Sequence, residues 1–596
     1  MPIYKAPLDD VRFVLNELFD IGALTRLPGF EEHTPDLIDA VLGEAAKFCE
    51  NVLQPLNRSG DEEGCRLENG AVTTPKGFKD AYAAFREGGW TALACDPAYG
   101  GQGLPHTVQF VLQEFLCSAN LSFELYPSLS HGAYNALHRW GSQELKDLYL
   151  PKIVDGTWSG TMCLTEPHCG TDLGLLRTKA VPADDGSYRI TGTKIFISAG
   201  EHDLTENIVH LVLARLPDAP SGIKGISLFL VPKFLPKADG TPGERNGVAC
   251  GAIEHKMGIK ASATCVMNFD DAIGWLIGAP HKGMRAMFTM MNTARLGVGI
   301  QGLGVAEVSR QNAVAYARDR LQGRSVTGAK APDKPADPII VHPDVRKNLM
   351  AMRAYTEGAR ALSAWVGLAV DRAERHPDPA ERQAADDFVA LLTPVVKAFF
   401  TDIGFEVANL GVQVFGGHGY IREHGMEQFV RDARIAQLYE GTNGVQALDL
   451  VGRKLSQDMG RLLRRFFPPV SAFLEEAGGK AGLAPFVGPL AKAFGLLQQA
   501  TTLIAQRSLK NPDEAGAAAT DYLRLFALVT LGYLWVRMAE VAQAKLAAGE
   551  GDARFYDTKV KTAAFFFAKL LPQAETLFRT IAAGSETLMA IDADAF

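Results

Sequence analysis

Glu440 is the residue best suited to proton chemistry, because Gly441, Thr442 and Asn443 follow it directly. A glutamate just before a glycine falls at a helix end where the backbone turns away, with Thr442 or Asn443 ready to cap the next helix. That frees the carboxylate to face a cavity and act as a base, and a plain surface glutamate at a helix end is the alternative. A second group of residues lies upstream. The stretch MCLTEPHCGTD, residues 162–172, starts as a strand and ends in a loop. Period-two alternation sets Ser159, Thr161, Cys163 and Thr165 opposite Trp158, Gly160, Met162 and Leu164, so that Thr165 and the loop amides can meet one polar ligand. In KIFISAG, residues 194–200, Phe196 and Ser198 project to the same side of a strand, which suits a flat heteroaromatic ring with polar edges. In QVFGGHGY, residues 413–420, glycines break a helix and permit close backbone approach. Each signal alone also fits an ordinary strand or turn.

Gly297-Val-Gly-Ile-Gln-Gly302 matches the dinucleotide fingerprint, but that fingerprint needs a preceding strand and a βαβ unit. Here Met284 to Arg318 reads as one continuous helix. The glycines are expected to let helices pack closely.

The elements that must carry these residues come in the order α, β, α. From Thr34 to Trp140 the period is helical, with Leu37, Ile38, Val41, Leu42, Ala45 and Phe48 at three- and four-residue steps and a glycine-rich loop at 96–103. Strand-like runs follow at 158–164, 194–198, 208–215, 226–231 and 264–269, divided by Gly, Pro, Asp and Ser. Past Lys282 the helical period returns and holds to the end, interrupted at 323–343 and near Pro377, Gly416 and Gly478. This order resists a doubly wound sheet, which alternates strand and helix. Near Lys454 the motif-rich segment gives way to plain Ala/Leu/Phe-rich helices. The expected organisation is an N-terminal extension (1–33), an N-terminal helical domain (34–156), a middle β domain (157–281), a helical bundle (282–454) and an additional helical domain (455–596).

Composition bounds the function. The 596 residues carry 60 Lys+Arg against 68 Asp+Glu, a net charge of −8, with no basic block, which counts against nucleic acid as a partner. Hydrophobic residues at 47% and charged residues at 21% support a sizeable core. The N-terminus shows no basic and apolar leader pattern, and the apolar run between Arg524 and Arg537 is too short for a bilayer, so no membrane span is expected. Eight scattered cysteines without a C-x-x-C pair fit reduced thiols in a cytoplasmic protein, and no metal site is expected.

Taken in order, MCLTEPHCGTD, KIFISAG, MGIKASAT (257–264), QVFGGHGY and RDARIAQLYEGTN (431–443) resemble the motifs of flavin-dependent acyl-CoA dehydrogenases. The resemblance covers residues 40 to 455, and the opening YKAPLDDVRFVL (4–15) and long C-terminal region look like the extended branch of that family. It implies a mainly α fold with a β insert: a helical domain, a middle β-barrel-like domain, a helical bundle and an added helical domain. It also implies FAD as cofactor and α,β-dehydrogenation of an acyl-CoA to the 2-enoyl-CoA. The acyl group ranges from 3-methylmercaptopropionyl to short or long fatty chains, and electrons pass to electron-transferring flavoprotein.

By the same resemblance Glu440 is the base for the α-proton. Thr165 matches the hydroxyl at the isoalloxazine edge, Phe196 the ring against the flavin face, where Trp is usual, and Ser198 the hydroxyl beside it. Thr171 matches a position near the CoA chain and the flavin phosphate. Asn292, where Asp is common, and Arg295 match positions near the substrate, and the backbone at Glu440–Gly441 faces the thioester oxygen. Arg320, Gln413 and Gly417 match residues that reach the FAD of a neighbouring subunit, and Thr442 matches one near the phosphates on the base's own chain. A homodimer is therefore expected. The chain departs from shorter members after Arg320, where it inserts QGRSVTG and APDKP. An O₂-using acyl-CoA oxidase and a non-catalytic DNA-binding relative of the fold are the competing readings.

Overall fold

A computed structural model describes residues 2–596, and its contacts divide the chain into two compact units. One comprises residues 47–104 and 119–297, the other residues 1–46, 105–118 and 298–596.

The first unit holds the β insert. Among the described residues eleven strands form: β1 (Arg66–Glu68), β2 (Ala71–Thr73), β3 (Trp158–Cys163), β4 (Lys179–Pro182), β5 (Tyr188–Ser198), β6 (Asn207–Arg215), β7 (Ile226–Pro232), β8 (Phe234–Pro236), β9 (Pro242–Arg245), β10 (Val248–Ile253) and β11 (Thr264–Ile277). β1–β2 and β8–β9 are separate hairpins, and the other seven strands make one sheet. Because β11 pairs with both β5 and β7, and β6 with both β7 and β4, the path β11–β5–β4–β6–β7 closes on itself as a small barrel. β6 shows why this closure holds. Val212 and Ala214 join the barrel interior with Ile197, Phe229 and Met267, while Val209, Leu211 and Leu213 on the opposite face join a second core with Trp158, Tyr149 and Met290. A strand buried on both faces reads as a continuous apolar run rather than an alternating one.

Three details differ from the sequence reading. The β1–β2 hairpin interrupts the stretch read as helical, being too short and too charged to announce itself. β11 does not stop at Phe269: the register slips between Phe269 and Ala272, Asp271 takes φ 48°, and the strand resumes to Ile277. A bulge, rather than a turn, is what the Asp270-Asp271 pair supplies. β4 and the strands from β8 to β10 carry Lys, Pro and Gly and gave no alternating signal. Within α1 (His106–Trp140) the helix breaks at Asn120, φ −161° and ψ 91°, whose side chain accepts from Phe123 N at 3.1 Å and so caps the second segment.

The second unit is helical. α2 (Gly283–Asp319) is continuous, and its Gly299 and Gly302 pack against α4 (Pro379–Phe415), next in line after α3 (Pro343–Arg375). A Cβ on Gly302 would lie 2.2 Å from the Phe400 carbonyl oxygen. The glycine motif therefore serves helix contact, and it lies in the middle of α2 rather than at a turn from strand to helix. A short helix α5 (Asn443–Asp449) follows the Glu440 segment, and the C-terminal region adds α6 (Asp513–Ala548) and α7 (Ala553–Phe565) among its helices. By length and composition alone, α6 and the helix through 379–420 are apolar enough to cross a membrane, but their apolar windows are 83% and 78% buried within the chain.

This unit contains a buried cluster of charges. Arg360 bonds Glu114 (2.9 Å), Glu307 (2.8 Å) and Asp10, while Lys559 of α7 bonds Asp10 and Glu357 (2.7 Å). Arg310 pairs with Glu307 and Arg353 with Glu357, each at 2.7 Å. Four acids thus face four bases.

Candidate active site

In the barrel unit, β3 ends at Cys163, so Thr165 lies just past the strand, half-buried, with its carbonyl accepting from Ile195 N at 2.9 Å. β5 carries a bulge at this point: Cys265 opposes Ile197 but Met267 opposes Lys194, so that Ile195 and Phe196 together face Val266. Phe196 sits in the left-handed region at φ 59° and is 59% exposed, whereas Lys194 is buried. Simple alternation would have put Lys194, Phe196 and Ser198 on one face. The bulge separates them, turning the lysine inward and the phenyl ring outward beside half-buried Ser198. Among the described residues, neither the Thr165 nor the Ser198 hydroxyl has a hydrogen-bond partner. Thr171 lies exposed in the following loop, where Asp172 accepts from Gly174 N at 3.0 Å.

Glu166, beside Thr165, takes bonds from Lys194 Nζ (2.9 Å), Thr178 Oγ1 (2.6 Å) and the amides of Arg177 (2.7 Å) and Thr178 (3.0 Å). Burial opposes its ionisation, yet the Lys194 charge and these donors hold its carboxyl below the usual range. Glu166, His168 and Cys169 bring ligand atoms within 4.8 Å of one another. The Glu166 oxygens are already occupied by donors, which leaves them poorly placed for a metal. On α2, Arg295 is buried with its guanidinium 5.7 Å from the Phe288 ring, and Asn292, one turn earlier, is exposed.

In the helical unit, a 3₁₀ turn at Ile435–Gln437 leads to Glu440 at φ 56° and Gly441 at φ 83°. Thr442 then caps α5, accepting from Val445 N at 3.3 Å. Two successive left-handed residues are costly for a glutamate, on the order of 1–3 kcal/mol, and persist only where neighbours fix them. They are fixed here: Gln446 Nε2 bonds the Glu440 carbonyl (3.0 Å), and buried Lys397 Nζ bonds the Gly441 carbonyl (2.8 Å) and Asn443 Oδ1 (2.9 Å). Asn443 Nδ2 in turn reaches Asp402 Oδ1 (2.7 Å). Both carbonyls next to the half-buried Glu440 are thus engaged.

Arg320, Gln413 and Gly417 are exposed and lie elsewhere, near the ends of α2 and α4, which meet through Tyr316. Tyr316 stacks on Phe415 with centroids 4.0 Å apart and its hydroxyl bonds His418 Nδ1 at 2.7 Å. Eleven to sixteen residues of α4 separate Gln413 from the anchors of the Glu440 loop, roughly 16–24 Å at 1.5 Å per residue. Lys397, Gln446 and the Lys194–Glu166 pair were not singled out in the sequence. Their only signal there is a lone charge or amide within an apolar run.

Comparison with known proteins finds one family along the chain. The family descriptions "Acyl-CoA dehydrogenase, N-terminal domain", "middle domain" and "C-terminal domain" match residues 37–157, 161–272 and 281–455, and "Acetyl-CoA dehydrogenase C-terminal like" matches 466–592. The chain is 44% identical to 3-methylmercaptopropionyl-CoA dehydrogenase of Ruegeria pomeroyi, over 98% of this chain and 99% of that one. It is 34% identical to the broad-specificity linear acyl-CoA dehydrogenase FadE5 of Mycobacterium tuberculosis, over the full length of both. Among solved structures, Caenorhabditis elegans ACDH-11 in complex with C11-CoA shares the fold with a TM-score of 0.76 at 20% identity, over 99% of this chain and 96% of that one. Butyryl-CoA dehydrogenase of Megasphaera elsdenii matches with a TM-score of 0.58 at 27% identity, over 70% of this chain and 98% of that one. The chain belongs to the acyl-CoA dehydrogenase family of FAD-dependent enzymes.

Proposed function

We propose that this enzyme converts an acyl-CoA to its 2-enoyl-CoA, with Glu440 as the base that removes the proton from Cα. The observation that carries the reading is the clamped left-handed pair Glu440–Gly441. A thioester α-proton is very weakly acidic, so its removal needs a base held in place and hydrogen bonds on the oxygen where charge develops. With the Glu440 and Gly441 carbonyls bound by Gln446 and Lys397, the loop backbone is held, which fixes the Glu440 amide and the point from which its side chain leaves.

The barrel residues fit FAD. Phe196 offers an exposed flat face, and Thr165 and Ser198 offer unsatisfied hydroxyls close by in the same pair of chain segments. Bound FAD supplies the acceptor for the β-hydrogen as hydride. Thr171, Asn292 and Arg295 are assigned to CoA and substrate, and Arg320, Gln413 and Gly417 to the FAD of a second subunit. The electron acceptor in this reading is electron-transferring flavoprotein. The 44% identity to a 3-methylmercaptopropionyl-CoA dehydrogenase favours a short methylthio-acyl substrate. The eight cysteines, seven of them buried and none in a disulfide, support a reducing compartment, the cytoplasm.

The test is anaerobic bleaching of the bound flavin by a panel of acyl-CoAs that includes 3-methylmercaptopropionyl-CoA. Bleaching by one or more thioesters is expected, without rapid oxygen consumption in air. A flavin that no acyl-CoA reduces would overturn the reading.

A further inference from the structure

Resting on the flavin site proposed above, the geometry points to the buried Lys194–Glu166 ion pair as a positioning device that sets Thr165 against Phe196 before the cofactor arrives. Three ties cross between the two segments within three residues. Lys194 Nζ bonds the Leu164 carbonyl (3.0 Å) and Glu166 Oε1 (2.9 Å), so both neighbours of Thr165 are held by one ammonium group. The Thr165 carbonyl itself takes the amide of Ile195, the residue between Lys194 and Phe196, at 2.9 Å. Thr165 is therefore fixed on three sides to the segment that carries the ring.

The far end of the pair is anchored as well. Through Thr178 and the Arg177 amide, Glu166 is tied to the entry of β4, and a local bridge closes its loop: Glu166 N bonds Cys169 O (2.9 Å) and Cys169 N bonds Glu166 O (3.0 Å). Neither partner can drift without breaking bonds at both ends.

Energetics argue for a geometric role. The two side chains are 0% and 3% exposed, and a buried ion pair commonly gives no more stability than apolar side chains of the same volume. What apolar filling would not give is direction: the inward lysine requires the bulge, and the bulge puts Phe196 at positive φ with its ring outward. The lysine and glutamate are positioning residues, acting through Thr165 and Phe196.

The test uses full-length protein, stripped of FAD and titrated with it. Lys194→Met is expected to weaken FAD binding tenfold or more and to change the visible circular dichroism of the flavin that still binds. The double variant Glu166→Gln/Lys194→Gln removes both charges and shortens residue 194 by one bond, so that its amide no longer spans to the Leu164 carbonyl and to residue 166 together. It should fold with a thermal midpoint near that of the wild type yet show the same flavin defects. Wild-type affinity and wild-type flavin dichroism in a folded double variant would overturn the inference. So would failure of both variants to fold, because the pair would then be a requirement of the barrel rather than a setting for the flavin. Wild-type protein that binds no FAD would instead defeat the proposed function, so the two failures are distinguishable.

Discussion

Lys559 of α7 bonds the carboxylate of Asp10, 549 residues earlier in the chain, and both side chains lie in the charged core of the helical unit. This bond ties the N-terminal segment to the C-terminal region through the same Asp10 that Arg360 holds. Burial works against the Asp10 charge, but Lys559 and Arg360 outweigh it and keep the carboxyl far below its usual range.

Removing one member of such a network leaves its partner buried and undercompensated. Lys559→Met is expected to destabilise the helical unit by about 3–5 kcal/mol, and Asp10→Asn/Lys559→Met to recover part of that loss because the orphaned charge goes too. Equilibrium denaturation in urea checks both. A single variant within about 0.5 kcal/mol of wild type would show that the pair contributes little.

His202 adds a pH dependence of its own in the other unit. It is buried in the barrel unit, Leu204 N donates to its Nδ1 at 3.2 Å, and its Nε2 lies 3.0 Å from Ser159 Oγ. Since Nδ1 accepts, the proton resides on Nε2, and a second proton would point at the Leu204 N–H. Burial first, then nearby Lys233, lowers its pKa to about 3, against a weaker raising effect of Asp203. The unfolded chain, with an ordinary histidine, binds the proton more readily between pH 6.5 and about 3, so stability is full above that window and falls as pH drops into it. The slope is about 1.4 kcal/mol per pH unit for one such group. Thermal midpoints at pH 7 and pH 5 should differ, and His202→Gln should narrow the difference. An unchanged gap in that variant would place the pH sensitivity elsewhere.

Glu440→Gln keeps the size and the backbone of the base but removes its proton affinity. Because Gln446 and Lys397 hold the loop through carbonyls, the substitution should leave FAD and acyl-CoA binding intact. Flavin reduction by acyl-CoA, followed by anaerobic stopped flow, should slow roughly 100- to 10,000-fold. Reduction at a rate near wild type would move the base to another residue.

Much of the fold is legible in the chain because the hydrophobic period changes where the architecture does: three to four residues before Trp140 and after Lys282, two between them. What escapes is set by local backbone events with no periodic signature. Asp270-Asp271 reads as a strand end, yet it is a bulge inside β11 because the partner β5 continues past it. The bulge at Ile195–Phe196 is equally silent, since a phenylalanine rarely announces a positive φ. The supports of the Glu440 loop are hidden for a different reason. Lys397 looks like an interruption in the apolar run VVKAFF, and the carbonyl it binds lies 44 residues away. Only folding α4 against the loop brings them together.

The exposed corner of Arg320, Gln413 and Gly417 makes the last prediction. It stands a long stretch of α4 away from the Glu440 loop, and its residues are assigned to a neighbour's FAD. Burial of most of the apolar window of α6 inside the chain removes a face that would otherwise recruit further copies, so a dimer rather than a tetramer is expected by light scattering. Complementation tests the shared site directly. Glu440→Gln has a sound corner and no base, whereas Arg320→Ala/Gln413→Ala has a sound base and a damaged corner, and each homodimer should be nearly inactive. In a mixed dimer one site pairs the intact base of the second chain with the intact corner of the first, so refolding the two variants together should restore about half the activity of a wild-type dimer per heterodimer. If each chain held its own FAD, both sites of the mixed dimer would carry a defect and mixing would restore nothing.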